Sequence, residues 1–211
     1  MTTRGKFITL EGIEGVGKST QAGLLAEALR ARGHEVVCTR EPGGAPLAEA
    51  VRDLLKHSPR DAVTPIAELL LIFAARAAHA DALLRPALAA GKWVVCDRFV
   101  DASVAYQGAG RELGRERVDE LAAWVVPDLV PDLTLVLDLP LEPAFERLDG
   151  RGERDRFEQE DDAFFERVRR AYVELADREP RRVHLVDATG DVDAVAARCL
   201  DVVERELEQA A

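Results

Sequence analysis

Cysteine is scarce in this chain, basic charge is outweighed, and no apolar run is long and unbroken. The three cysteines, Cys38, Cys96 and Cys199, are odd in number and far apart, which speaks against a disulfide framework or a cysteine metal cage. Cys38 and Cys96 fall in apolar strand-like runs and are expected as buried, reduced thiols. A formal net charge of −11 removes the broad basic surface that nucleic acid or an anionic membrane needs, while leaving room for local basic pockets. The longest apolar stretch, 66–90, is interrupted by Glu68, Arg76, His79, Asp81 and Arg85, so it is no membrane span. The four histidines share no ligand spacing and are expected to be structural or exposed. Residues 1–6 run straight into a strand pattern with no signal-peptide features, so a cytoplasmic protein is expected. At 211 residues, 47% hydrophobic and 32% charged, the chain suffices for one globular domain with a sizeable core.

Residues 7–20, Phe-Ile-Thr-Leu-Glu-Gly-Ile-Glu-Gly-Val-Gly-Lys-Ser-Thr, carry the strongest signal. An apolar strand runs into Gly12-x-x-x-x-Gly17-Lys18-Ser19, and a helical pattern follows. This is the context of a phosphate-binding P-loop. The loop from Gly12 through Ile13, Glu14, Gly15, Val16, Gly17, Lys18, Ser19 and Thr20 is therefore the expected ATP site. Its backbone N–H groups converge on phosphate oxygens, and side chains at Gly12, Gly15 and Gly17 would obstruct that approach. The helix start adds positive potential. Lys18 supplies a point charge for the β- and γ-phosphates, and the Ser19 hydroxyl a ligand for Mg²⁺.

Short apolar strands alternate with helices along the rest of the chain. Strands are expected at 6–10, 35–39, 93–96, 133–139 and 183–187. Helices are expected at 18–32, 46–56, 65–90, 115–126, 141–149, 159–178 and 191–208. Thr64-Pro65 opens the long helix, Asp101 is expected to cap another, and Gly108, Gly110 and Gly114 mark a polar turn region. The fold class is α/β, with a five-stranded parallel sheet and helices on both faces. No linker or repeat divides it, so one domain over 1–211 is expected, with a mobile, charged lid at about 149–158.

Function should sit at the carboxyl ends of the strands. Those ends bring Glu11 and the P-loop, Arg40-Glu41, and Asp97-Arg98 to one rim. Two arginines beside a P-loop suggest a second phosphate. A Glu14 carboxylate about 4 Å from a phosphate would be repelled by roughly 4 kcal/mol at an effective dielectric near 20. Glu14 should thus point across the loop, to a hydroxyl or a cation. Asp97 ends an apolar strand as a Walker-B aspartate does, and either holds Mg²⁺ through water or orients Arg98. Arg151, Arg154 and Arg156 lie in the lid, where an arginine would neutralise a migrating phosphoryl group.

Together these residues resemble the bacterial thymidylate kinase family. The resemblance rests on Glu11–Thr20, Thr39-Arg40-Glu41-Pro42-Gly43-Gly44, Phe73-Ala74-Ala75-Arg76, Asp97-Arg98-Phe99, Ala105-Tyr106-Gln107-Gly108, Pro131-Asp132-Leu133-Thr134 and Arg156-Phe157-Glu158-Gln159-Glu160, and runs from about residue 5 to about 190. It implies transfer of the ATP γ-phosphate to dTMP, with Mg²⁺, in a homodimer. It further implies that Arg40 and Arg98 hold the dTMP phosphate and that Glu14 meets the sugar hydroxyl. Phe73 would stack on thymine, Arg76 and Ser103 would read its polar edge, and Tyr106 would wall the deoxyribose with Gln107 nearby. Arg151 and Arg156 are the lid arginines of choice, joining Lys18 and Arg98 in catalysis. Phe73 and Arg76 are three residues apart where some relatives have four, which leaves Ile72 as the alternative stacking residue.

Overall fold

The computed structural model describes residues 4–59, 62–149 and 156–208. Five parallel strands form one sheet: β1 Phe7–Glu11, β2 Val36–Arg40, β3 Trp93–Asp97, β4 Leu133–Asp138 and β5 Val183–Asp187, in the order β2-β3-β1-β4-β5. Period-two alternation divides β1 between two cores. Ile8 and Leu10 pack with Ala22 and Leu25 of α1 (Lys18–Ala31), Phe165 and Val168 of α8 (Asp162–Arg178), and Val195 of α9 (Val192–Val203). Phe7 packs on the opposite face with Val94, Cys96 and Phe99, against Ala87 and Leu88 of α4 (Arg85–Ala89). Burying both faces explains why the central strands read as continuous apolar runs.

The register aligns the chemistry. Leu10 and Arg40 both pair with Asp97, so the P-loop, Arg40 and Arg98 leave the sheet side by side. α2 (Pro46–His57) and α3 (Pro65–His79) follow β2, α3 capped by Thr64, whose Oγ1 accepts from Ala67 N. The expected 65–90 helix is continuous in its helical course, but a π-helical turn at Ala80–Leu84 separates α3 from α4. The remaining helices are α5 (Val100–Ser103), α6 (Arg115–Val125) and α7 (Leu141–Asp149).

Three expectations need correction. Cys38 is exposed, because β2 is an edge strand, whereas Cys96 and Cys199 are buried. Asp101 does not cap α5: its carboxylate accepts from Arg182 Nη1 (2.6 Å) and Nη2 (3.1 Å) and from Thr134 Oγ1 (3.0 Å), so a tertiary ion pair claims it. Val104–Gly110 is not a polar turn but a buried π-helical run. A Cβ at Gly110 would stand 2.6 Å from the Phe164 ring, so glycine there admits α8 rather than bending the chain. The lid expected at about 149–158 falls mainly on 150–155, outside the described residues, as does Arg151.

Candidate active site

The P-loop turns from β1 into α1 with Gly12, Gly15 and Gly17 at φ of 133°, 77° and 95°. A Cβ on Gly12 would lie 2.5 Å from the Leu137 carbonyl oxygen, and one on Gly15 2.0 Å from that of Ala144. Neighbouring backbone thus forces Gly12 and Gly15 as much as any phosphate would, while Gly17 has open space around it and is favoured by its positive φ alone. Ile13 and Val16, both 2% exposed, point into the core and anchor the loop. Lys18 is buried and donates to Ile13 O (2.6 Å). Burial, and then the like charge of Arg98, pull it down to about 8.

A cleft of about 280 Å³ opens above the strand ends. Glu14, Gly15, Gly17, Lys18, Ser19 and Thr20 line its P-loop side, and Arg40, Arg76, Asp97, Arg98, Ser103, Tyr106 and Gln107 are among the residues that line the rest. Ser19 Oγ donates to Asp97 Oδ2 in a short hydrogen bond, while Asp97 Oδ1 is buried and has no hydrogen-bond partner among the described residues. Two hard oxygen donors, one with a lone pair to spare, suit a divalent cation that takes its other ligands from phosphate and water. No group of three or more His, Cys, Asp or Glu able to hold a metal occurs among the described residues, so such a cation would be shared with substrate.

Arg98 is the centre of the opposite wall. Its φ of 74° lies in the left-handed region, which costs a non-glycine residue on the order of 1–3 kcal/mol. The turn is held by Arg98 N donating to Leu10 O (3.0 Å) and Phe99 N donating to Glu11 Oε1 (2.8 Å). The guanidinium donates to Glu14 Oε1 (2.6 Å), Tyr106 OH (3.0 Å) and Gly12 O (3.2 Å), and stacks on the Tyr106 ring at 4.5 Å. Tyr106 OH in turn makes a short bond to Glu14 Oε2. Glu14 therefore faces a cation and a hydroxyl across the loop. Burial pushes the Tyr106 phenol well above its ordinary value, keeping it neutral.

Arg76 reaches the cleft from α3. Its Nε donates to Glu41 Oε2 (2.7 Å), Nη1 to Ser103 Oγ (3.1 Å) and Nη2 to Phe99 O (2.9 Å), which among the described residues leaves two of a guanidinium's five N–H groups for a ligand. His79 Nδ1 lies 2.9 Å from Glu41 Oε1 and its Nε2 2.9 Å from Thr39 Oγ1, a structural role for a histidine that is fully buried.

Three expected residues are engaged with other side chains. Phe73 is 2% exposed and packs with Leu69, Val104 and Val118, its ring backing the Arg76 guanidinium at 4.5 Å. Ile72, four residues before Arg76 and so on its helix face, lines the cleft instead. Arg40 lines the cleft, but its guanidinium is held by Glu49 of α2 (2.8 and 3.0 Å). Arg156 is turned inward: it is 2% exposed, donates to Leu55 O (3.1 Å) and pairs with the fully buried Glu68. Glu68 also takes Arg111 (3.1 Å) and Gln107 Nε2 (2.8 Å).

Sequence reasoning missed Glu41, Glu49 and Glu68 as partners of these groups, and Tyr172, whose hydroxyl lies 3.5 Å from Arg98 Nη1. Glu41 stood beside Arg40 in the run already singled out. Glu49 lies nine residues after Arg40 on the next helix, whereas Glu68 and Tyr172 come from helices far away in sequence; none of the three carried a local signal.

The family model described as thymidylate kinase matches residues 10–199. Over 197 residues the chain is 55% identical to a thymidylate kinase of Chromohalobacter salexigens, covering 92% of this chain and 93% of that protein. Over 207 residues it is 51% identical to a thymidylate kinase of Bordetella pertussis, covering 98% of each. A crystal structure of thymidylate kinase from Ehrlichia chaffeensis aligns with a TM-score of 0.78 at 34% identity, covering 95% of this chain and 99% of that one.

Proposed function

The chain belongs to the thymidylate kinase family, and on that premise we propose that its cleft phosphorylates dTMP to dTDP with ATP and Mg²⁺. The observation that carries the reading is the placement of Arg98 across one cleft from Lys18 and Ser19. A P-loop alone serves one nucleotide; a clamped arginine facing it serves a second phosphate.

The P-loop amides and Lys18 hold the ATP β- and γ-phosphates, with the positive end of α1 behind them. Ser19 and Asp97 hold Mg²⁺, which when bound neutralises charge on the transferring group. Arg98 holds the dTMP phosphate, with Arg40 beside it once released from Glu49. The acceptor phosphate displaces the Glu14 carboxylate from Arg98, and Glu14 turns to the sugar hydroxyl. An oxygen of the dTMP phosphate then attacks the γ-phosphorus in line. The bond to the ADP bridging oxygen breaks, and Lys18 stabilises the charge left on ADP.

Arg76 and Ser103 read the polar edge of thymine. Ile72 supports its face in place of Phe73. Tyr106 walls the deoxyribose, and Gln107 completes that side. Rate acceleration from a lid arginine falls to Arg151, because Arg156 is engaged by Glu68. We further propose a single kinase domain over 1–211 with its lid near 149–158, working in the cytoplasm as a homodimer. No described helix is long and apolar enough to cross a membrane. The exposed Ile66 and Leu70 of α3 and Trp124 of α6 offer apolar area for a dimer contact, which sedimentation of the purified protein would test.

The reaction is tested by ADP formation from ATP and Mg²⁺ with dTMP, dUMP, dCMP, dGMP and dAMP supplied singly. Strong stimulation by dTMP and weaker by dUMP is expected, because one methyl group discriminates by only about 1–3 kcal/mol. Preference for another nucleotide would reassign Ile72, Arg76 and Ser103.

A further inference from the structure

Glu11 is buried without exposure at the end of β1, one residue before the P-loop, and takes no part in the chemistry above. Its two oxygens face two different elements. Oε1 accepts from Phe99 N (2.8 Å), the amide that follows the left-handed Arg98. Oε2 lies 2.8 Å from the hydroxyl of Tyr172 on α8, and that hydroxyl in turn lies 3.5 Å from Arg98 Nη1. One carboxyl thus meets both the backbone that carries Arg98 and the ring that flanks its guanidinium.

We propose that Glu11 is a positioning residue for acceptor binding: it fixes the Arg98–Phe99 turn and the Tyr172 hydroxyl, and so aims the Arg98 guanidinium at the acceptor phosphate. This rests on the assignment of Arg98 to that phosphate. The left-handed turn has no glycine to hold it at no cost, so the bond to Phe99 N opposes its relaxation into an ordinary backbone conformation. The surroundings fit a neutral group. Burial, and then Asp101 of α5, push the Glu11 carboxyl up to about 8, with Arg98, Tyr172 and Phe99 N opposing. The carboxyl therefore carries its proton at neutral pH. It shapes the site by hydrogen bonds rather than by charge, and adds no second carboxylate to compete with the acceptor for Arg98.

A glutamine is the matching isostere. Its carbonyl oxygen accepts from Phe99 N, and its amide group donates to the Tyr172 oxygen. Kinetics of the full chain with Glu11→Gln, Glu11→Ala, Glu11→Asp and Arg98→Ala test the idea. Glu11→Ala should raise KM for dTMP at least about tenfold while KM for ATP stays within about twofold, the size expected when one buried hydrogen-bonded support is lost. Glu11→Gln should keep KM for dTMP within about threefold of the parent. Glu11→Asp, which draws the oxygen back from Phe99 N, should resemble Glu11→Ala and carries the test if the alanine variant does not fold. Equal rises in both KM values, or Glu11→Gln as impaired as Glu11→Ala, would overturn the proposal. If Arg98→Ala itself leaves dTMP affinity unchanged, the assignment of Arg98 fails first and the proposal falls with it. If Arg98→Ala weakens dTMP but Glu11→Ala does not, only the role of Glu11 fails.

Discussion

Glu41→Gln keeps a side chain's shape and deletes one buried charge. Arg76 and Glu41 are 1% and 4% exposed, with Nε and Oε2 2.7 Å apart. Their charge centres, about 4 Å apart, attract by roughly 4 kcal/mol at an effective dielectric near 20. The larger consequence is the guanidinium left behind. A buried charge stripped of its partner typically costs about 3–5 kcal/mol. Glutamine can still accept from Arg76 through its amide oxygen, so the lower end, about 3 kcal/mol, is expected. Replacing Arg76 by Met in the same chain removes the orphaned charge and should recover a large part of the loss. Urea unfolding of the parent, Glu41→Gln, Arg76→Met and the double variant gives the coupling energy directly, expected at about 2–4 kcal/mol. A coupling below about 0.5 kcal/mol would refute the reasoning, since it would mean that the pair is solvated or that Arg76 has found another anion.

Arg98→Ala should raise KM for dTMP by about a hundredfold or more with ATP affinity unchanged, because a charge-assisted clamp on phosphate is lost; calorimetric titration of each substrate separates the two. Arg156→Ala should lower stability by about 2–4 kcal/mol, read as a Tm fall of several degrees, because it uncouples Glu68 from one of its two arginines. An unchanged Tm with a lowered kcat would instead return Arg156 to the chemistry. Glu11 should make stability fall with pH. The folded state keeps its proton up to about 8 while the unfolded chain releases it near 4.5, so between those values the folded state binds more protons. Stability relative to Glu11→Gln should drop by about 1.4 kcal/mol per pH unit across that window and level off above it. A difference constant in pH, read from urea midpoints, would show that Glu11 titrates normally.

The parts of this molecule legible in sequence are those that local rules specify. β1, the P-loop and α1 follow from an apolar run, forced glycines and a helical stripe within 25 residues. The parallel sheet followed from the alternation of elements, and its carboxyl rim from topology alone. Long-range pairing was not legible. Asp101 satisfies the local pattern of a helix cap, yet Arg182, 81 positions away, takes its carboxylate. Gly110 has the composition of a turn, but the Phe164 ring packed against it explains the glycine. Phe73 is the more obvious stacking ring, but a one-residue rotation about α3 puts Ile72 on the cleft and Phe73 behind Arg76. Arg156 carries the right charge in the right segment, but it is buried against Glu68, a partner the sequence did not announce. In each case the residue type was informative and the partner was not.

The most direct test of the central claim follows the phosphorus. ATP labelled at the γ-phosphate is incubated with Mg²⁺, dTMP and the purified chain, and the products are separated. Direct transfer predicts label in the β-phosphate of dTDP, one for each ADP formed, with no labelled inorganic phosphate in excess. Labelled inorganic phosphate without labelled dTDP would contradict the account and leave a nucleotide hydrolase in its place.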